Sequence, residues 1–209
     1  MKEKEEARLT TLKEYEEKLY QQGANMLAGI DEAGRGPLAG PVVVACAIMP
    51  KDSMIEGVND SKKVSEKKRE ILYDTITQEA ISYGVGIIDQ NEIDQINILN
   101  ATKEAVTKAI VQLKVKPDRI LVDALKGIDT KGIPYTSIIK GDEKVYSISA
   151  ASIIAKVTRD RIMRQWDEIY PQYGFAKHKG YGTAAHMQAI REYGLCPLHR
   201  KSFLRKFLE

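Results

Sequence analysis

Cysteine is scarce in this 209-residue sequence: there are two, Cys46 and Cys196. Neither lies in a CxxC pair or a Cys/His cluster, which argues against a zinc site. Two thiols in a chain of this size fit a reduced, cytosolic protein better than a disulfide framework, a single bridge between them being the alternative. Cys46 falls in an apolar run and reads as a small buried hydrophobe, whereas Cys196 sits in the turn-like Gly194-Leu195-Cys196-Pro197. Long hydrophobic runs are missing too. The longest, residues 41–50, has strand length, far short of the roughly 18 apolar residues a bilayer span requires. The first residues, MKEKEEARLT, are charged, so no secretory signal is expected. These absences predict a cytoplasmic protein with no membrane partner. The three histidines, His178, His186 and His199, have no triad-like setting. No internal repeat, low-complexity tract or interdomain linker is evident.

What is present is an ordinary globular balance, 43% hydrophobic and 29% charged, enough to bury one core. The net charge is only +3, but its distribution is uneven. Lys62, Lys63, Lys67, Lys68 and Arg69 form one basic cluster. Residues 177–206 carry another, with Lys177, His178, Lys179, His199, Arg200, Lys201, Arg205 and Lys206. Such clusters suit a polyanionic partner, and a solvated surface explains them equally well.

Hydrophobic spacing predicts a charged helix over residues 2–22, with Leu9, Leu12, Tyr15 and Leu19 on one stripe and Gly23 at its end. Residues 26–30 and 42–49 read as two strands joined by a tight glycine-rich connection, hence an antiparallel pair. Ser65 is placed to cap a helix reaching about residue 80. Residues 82–88 read as a third strand, 97–113 as a helix, 120–123 as a buried parallel strand and 135–139 as a fifth. A long helix is expected over 146–170. A basic glycine-rich loop at 174–182, a helix over 183–193 and a basic, partly helical tail at 197–209 follow. The order implies an α/β fold, a mixed sheet flanked by helices.

Three places put carboxylates at strand ends. Gly29-Ile30-Asp31-Glu32-Ala33-Gly34-Arg35-Gly36-Pro37 delivers two adjacent acids into a glycine-rich turn. Neighbouring strand side chains point to opposite faces, so both acids approach one point only if the strand ends or bends there. A polar strand end paired with Arg35 is the plainer reading. Asp123 closes an apolar strand, a costly position unless it is paired, hydrogen-bonded or metal-bound; capping the turn at residues 124–127 is the alternative. Asp142, in Lys140-Gly141-Asp142, reaches the same sheet edge or caps the long helix. Asp160 is a rival carboxylate that an ion pair with Arg164, four residues on, explains adequately. Several carboxylates at strand ends make a hard-oxygen site suited to Mg2+ or Mn2+. Two such ions can activate water against a phosphodiester without a Ser, Cys or His nucleophile.

Seven segments in unbroken order resemble one family: GIDEAGRGPLAGPVVVACAI, NDSKKVSEKKRE, NILNATKEAV, LVDALKGI, KGDEKVYSISAASIIAKVTRDRIM, YPQYGFAKHKGY and PLHRKSF. Together they look like bacterial ribonuclease HII, over about residues 26–203. The resemblance implies an RNase H-like fold: a five-stranded mixed sheet flanked by helices, with a C-terminal helical extension. Residues 1–25 would be a helical appendage and 26–209 the catalytic domain, its basic segment from about 171 to 209 binding substrate. Asp31, Glu32, Asp123 and Asp142 would be the metal-holding catalytic carboxylates for two Mg2+ or Mn2+ ions. The Gly34-Arg35-Gly36 backbone would contact the 2′-hydroxyl and phosphate at the scissile junction, where a bare glycine permits close approach. Tyr181 would stack on the neighbouring deoxyribose, and Ser61 and Lys62 would hold backbone phosphates. Loop packing for Tyr181 and a solvated charge for Lys62 are the plainer readings.

The substrates implied are RNA/DNA hybrids and duplex DNA with embedded ribonucleotides, cut on the 5′ side of the ribonucleotide to leave 3′-hydroxyl and 5′-phosphate ends. A monomer is expected. The related ribonuclease HIII would need a larger N-terminal domain than residues 1–25 allow, and Gly34-Arg35-Gly36 fits type HII better. A non-catalytic nucleic-acid-binding module gains nothing from acids facing phosphates. A protein whose acids only cap and bridge leaves the ordered set unexplained.

Overall fold

A strand apolar at every position needs cover on both faces, and the molecule is built around one. The computed structural model describes residues 2–208; Met1 and Glu209 lie outside the described residues, as do the side chains at 206–208, including Lys206 of the expected basic tail. The strands are β1 (Leu27–Ala33), β2 (Val42–Ile48), β3 (Ser82–Ile88), β4 (Arg119–Asp123) and β5 (Tyr135–Ile138). β2 is buried throughout. It pairs antiparallel with β1 on one side and β3 on the other, while β4 adds parallel to β1 and β5 parallel to β4. The order β3-β2-β1-β4-β5 is the expected five-stranded mixed sheet. Its centre, β1, is where the direction of pairing changes, and ligands of open α/β sheets bind at the carboxyl ends of strands beside such a point.

The helices are α1 (Glu3–Gln21), α2 (Glu66–Glu79), α3 (Gln90–Ile96), α4 (Ile98–Ile110), α5 (Gly141–Lys144), α6 (Tyr146–Ile169), α7 (Phe175–His178), α8 (Ala184–Tyr193) and α9 (Lys201–Leu208). On one face α4 lays Ala101, Ala105 and Ala109 against Val44, Cys46 and Ile30. On the other, α6 lays Ala150, Ala151 and Ile154 against Ala45 and Ala47. The approach of α6 is so close that a Cβ at Gly29 would lie 2.1 Å from the Ser147 carbonyl carbon. Only glycine fits there. Beyond the sheet, Met163 of α6 meets Phe175, Ile190, Leu198 and Leu204 in a separate small core made by the last third of the chain.

The expected charged helix is α1, and it docks on the main body. Leu9 and Leu12 join the α6-side core, and Glu16 Oε1 accepts the Ser147 N–H at 2.9 Å. Several boundaries differ from the sequence reading. The helix expected over 97–113 ends at Ile110 and is preceded by α3. Asn97, at φ 67°, breaks the two apart, and its side chain accepts from the Leu99 and Asn100 N–H groups to start α4. Ser65 stands at the N-cap position of α2 without making a side-chain cap bond. The loop expected at 174–182 contains α7. Both cysteines are free, Cys46 buried in the core. Among the described residues no helix is long and apolar enough to cross a membrane.

Candidate active site

β1 runs past its expected end, through Asp31 and Glu32 to Ala33, still paired with β2. The strand therefore does not bend between the two acids. Asp31 shares the face of Gly29, which α6 covers, and there Ser152 lies beside its carboxylate. Glu32 takes the opposite face and makes the expected ion pair with Arg35, Nη1 to Oε1 at 3.2 Å. The bend comes after Ala33, at Gly34, whose φ of +96° suits glycine alone.

β4 stops at Asp123, one step beyond the Ile30–Val122 pair, which sets Asp123 alongside Asp31 at the carboxyl edge of two parallel strands. Its Oδ1 accepts the Gly141 N–H at 2.7 Å, a bond across to the next connection rather than a cap on its own turn. That bond brings Asp142 to the same edge. Asp142 does not cap α6; Val145 takes that position, and the Asp142 carbonyl accepts from Ser149 Oγ. The Asp142 carboxylate is buried and receives the Lys62 ammonium at 3.1 Å.

Lys62 and Ser61 begin a single 3-10 turn that Asp60 caps, Oδ1 accepting the Lys62 N–H. Ser61 is tied to α6 through Ser152 Oγ, which donates to Ser61 Oγ at 2.8 Å. Asp60 is a fifth acid of the neighbourhood that the sequence reading passed over: it is 4% exposed, and its charge bears on Asp123. The signal was an Asp directly ahead of Ser-Lys-Lys, a turn-capping pattern.

Electrostatics bind these groups into one site. Burial, then the charge of Glu32 and that of Asp123, hold Asp31 well above the usual carboxylate range. Burial also raises Glu32, against Arg35, with Asp123 adding repulsion. Asp123 is raised by burial and by Asp142, against the Gly141 N–H. Lys62, despite its partial burial, is raised by the Asp142 carboxylate beside it. Among the described residues no three His, Cys, Asp or Glu side chains stand close enough together to hold a metal ion as they are placed. The donor set nonetheless fits a hard cation: mutually repelling carboxylate oxygens, no sulfur or imidazole among them, and one ammonium to offset them.

The loop after β1 is gripped from below. Arg159 donates to the Pro41, Lys179 and Ala39 carbonyls at 2.9, 2.9 and 3.0 Å, and Arg200 donates to those of Gly34, Arg35 and Gly40. Tyr181 lies beside this loop, 45% exposed, its Cε1 3.8 Å from where a Cβ on Gly36 would be. The expected loop, Tyr181, Ser61, Lys62 and the four carboxylates therefore face one edge of the sheet. Asp160 does not join them, nor does it pair with Arg164. It is buried between Lys156 at 2.6 Å and Arg69 at 3.6 Å, and Arg164 goes instead to Glu66 and Glu70.

The sheet order and flanking helices make this a ribonuclease H-like fold. Two archaeal structures share it. The ribonuclease H2 from Pyrococcus horikoshii OT3 matches with a TM-score of 0.71 and 30% identity, covering 85% of this chain and 93% of its own. A ribonuclease HII from Archaeoglobus fulgidus, solved in complex with PCNA, matches with a TM-score of 0.72 and 29% identity over 84% of this chain and 94% of its own. The family model described as Ribonuclease HII matches residues 28–206. A ribonuclease HII of Acetivibrio thermocellus is 57% identical over 206 residues, 99% of this chain and 80% of that relative. The chain belongs to the ribonuclease HII family, type 2 ribonucleases H, hydrolases that act as endoribonucleases on RNA/DNA hybrids.

Proposed function

We propose that this chain hydrolyses the phosphodiester on the 5′ side of a ribonucleotide, both in RNA/DNA hybrids and at single ribonucleotides in duplex DNA. The products carry 3′-hydroxyl and 5′-phosphate ends. One observation carries the reading: Asp31, Glu32, Asp123 and Asp142 gather at one sheet edge, where Lys62 and Arg35 pair with two of them and burial and mutual repulsion disfavour the charges of Asp31 and Asp123, next to a glycine loop flanked by an exposed tyrosine.

Asp31, Glu32, Asp123 and Asp142 would hold Mg2+ or Mn2+, two ions in the reading favoured here, which supply an activated water and charge stabilisation at the leaving oxygen. The chain's own residues do the rest. Ser152 lies beside the Asp31 carboxylate and favours its charged form, and the Gly141 N–H orients the carboxylate of Asp123. Gly34, Arg35 and Gly36 offer backbone to the ribose 2′-hydroxyl, the group that distinguishes RNA from DNA. Tyr181 packs against the adjoining sugar. Lys62, its side chain 78% exposed, can exchange Asp142 for a backbone phosphate, with Ser61 beside it. The basic segment from about residue 171 extends the track for the duplex, and α1 is a docked appendage to the catalytic domain at 26–209. The protein acts as a cytoplasmic monomer.

The test is cleavage of a labelled DNA duplex carrying one ribonucleotide, beside an all-DNA duplex and an RNA/DNA hybrid, with Mg2+, Mn2+ or EDTA. A single cut 5′ to the ribonucleotide, lost with EDTA and in Asp123→Asn, is expected. Cutting of the hybrid alone moves the reading to ribonuclease HIII-type activity. Metal-independent binding without any cut leaves a nucleic-acid-binding module.

A further inference from the structure

Arg200 is a charge in an unusual place. It is fully buried, and among the described residues it forms no salt bridge. Burying an unpaired cation is expensive, so its hydrogen bonds must compensate. Its donors go to backbone carbonyls: Nε to Gly40 at 2.9 Å, Nη1 to Arg35 at 3.1 Å, and Nη2 to Gly34 at 2.7 Å and Gly40 at 2.8 Å.

A scaffold cross-link would need any carbonyls within reach. Here two of the three belong to consecutive residues in the loop beside the carboxylates. There are no cis peptide bonds, and in a trans peptide the carbonyl of one residue and the N–H of the next point in opposite directions. Drawing the Gly34 and Arg35 carbonyls down onto Arg200 therefore turns the Arg35 and Gly36 N–H groups up. Tyr181 stands beside Gly36 in the same loop region, its Cε1 3.8 Å from where a Cβ would be. Two successive N–H groups facing outward make a small concavity for an anionic or hydroxyl oxygen. Arg159 fastens the same loop further along, through Ala39 and Pro41, and joins it to Lys179, two residues before Tyr181.

We propose that Arg200 is a positioning residue for ribonucleotide recognition: its guanidinium fixes two peptide planes so that the Arg35 and Gly36 N–H groups face the substrate. The proposal rests on the reading of that loop as the ribonucleotide contact. Lysine keeps the charge but not the planar fork that serves three carbonyls at once. Arg200→Lys thus separates orientation from charge.

The experiment measures three quantities on wild type and Arg200→Lys with Mg2+: kcat and KM on a duplex with one ribonucleotide, Ki of an all-DNA duplex as competitor, and the melting temperature. The expected result is a roughly 10–100-fold loss in kcat/KM, the scale of misplacing reacting groups by about an ångström. Ki should move less than about threefold in a variant that still folds. Unchanged kcat/KM in a folded variant overturns the proposal, and so does a Ki that weakens in step with kcat/KM. A wild type that does not cut the ribonucleotide duplex fails the underlying reading, and the proposal with it. Should Arg200→Lys not fold, the wild-type amide signals of Arg35 and Gly36 are followed by NMR in EDTA as each duplex is added. Shifts with the ribonucleotide duplex but not the all-DNA duplex support the proposal, and equal or absent shifts overturn it.

Discussion

The Nε2 atoms of His186 and His199 lie 3.1 Å apart, in the small core behind Tyr181. One of them must carry the proton, and the outer contacts decide which. The Cys196 N–H donates to His199 Nδ1 at 2.9 Å, shorter than the 3.2 Å from that nitrogen to the Cys196 carbonyl, which favours the proton of His199 on Nε2. His186 then accepts at Nε2 and donates from Nδ1 to the Tyr181 carbonyl at 2.9 Å. A third histidine, His178, stacks on His186, centroids 4.4 Å apart, while Tyr173 and Phe175 cover the edges.

Protonating either imidazole would set two N–H groups against each other. Burial lowers the His186 pKa to about 4, with His178 and His199 adding repulsion, and burial lowers that of His199 too. The unfolded chain therefore takes up protons first, and stability falls as pH drops below the unfolded value near 6.5. Urea melts at pH 7 and 5.5 should differ by about 1 kcal/mol from His186 alone. In His186→Gln most of that difference should vanish. Nitrogen NMR should show His199 protonated at Nε2 and His186 at Nδ1; the reverse tautomers would refute the relay.

Asp31→Asn should raise stability while abolishing cleavage. Burial and the charges of Glu32 and Asp123 disfavour the Asp31 carboxylate, so at neutral pH its ionisation works against the fold. The raised value means stability falls as pH rises above about 4 when no cation is added. Differential scanning fluorimetry should show a higher melting temperature for the variant in EDTA. Added Mg2+ or Mn2+ should stabilise wild type more than the variant, by mass action.

Glu16 offers a second buried carboxyl, one with no proposed part in the chemistry. Burial raises its pKa, while the Ser147 hydrogen bond opposes the shift. Its ionisation is destabilising above the unfolded carboxyl value, so Glu16→Gln should gain stability at pH 8 and little at pH 4. Paired thermal melts check this. An equal change at both pH values would assign the effect to packing.

Gly29→Ala should be among the most damaging single methyl groups in the chain. The added carbon would lie 2.1 Å from one backbone atom and 2.3 Å from another, in the first turn of α6. Neither β1 nor α6 can retreat without opening both faces of the sheet. A loss of about 3 kcal/mol or more in urea unfolding is expected, at the upper end for overpacking. A loss below about 1 kcal/mol would show that α6 shifts freely.

The centre of the sheet could be read from the sequence because β1, β2 and β4 hold short apolar runs, those of β1 and β4 closed by an acid. Asp31 and Asp123 stood out for the same reason, each ending a hydrophobic stretch. Other features had no such pattern. α3 is polar, QNEIDQI, and its separation from α4 rests on one positive φ at Asn97. The Asp160 partner was misread because helical spacing points to Arg164. Helical spacing also offers Lys156, four residues earlier, and Asp160 takes that partner with Arg69 of α2, while Glu66 and Glu70 of α2 draw Arg164 away. Arg159 and Arg200 were invisible as structural residues. A guanidinium that serves carbonyls leaves no mark on its partners' side chains.

The grip of Arg200 on Gly34 spans 166 positions of sequence. A ribosome working from the amino end releases Gly34 long before it reaches Arg200. A nascent chain can thus own all four acids while the loop that begins at Gly34 still lacks its anchor. On the function proposed above, selective cutting is then among the last properties a newly made molecule acquires, and one terminated before Arg200 never acquires it.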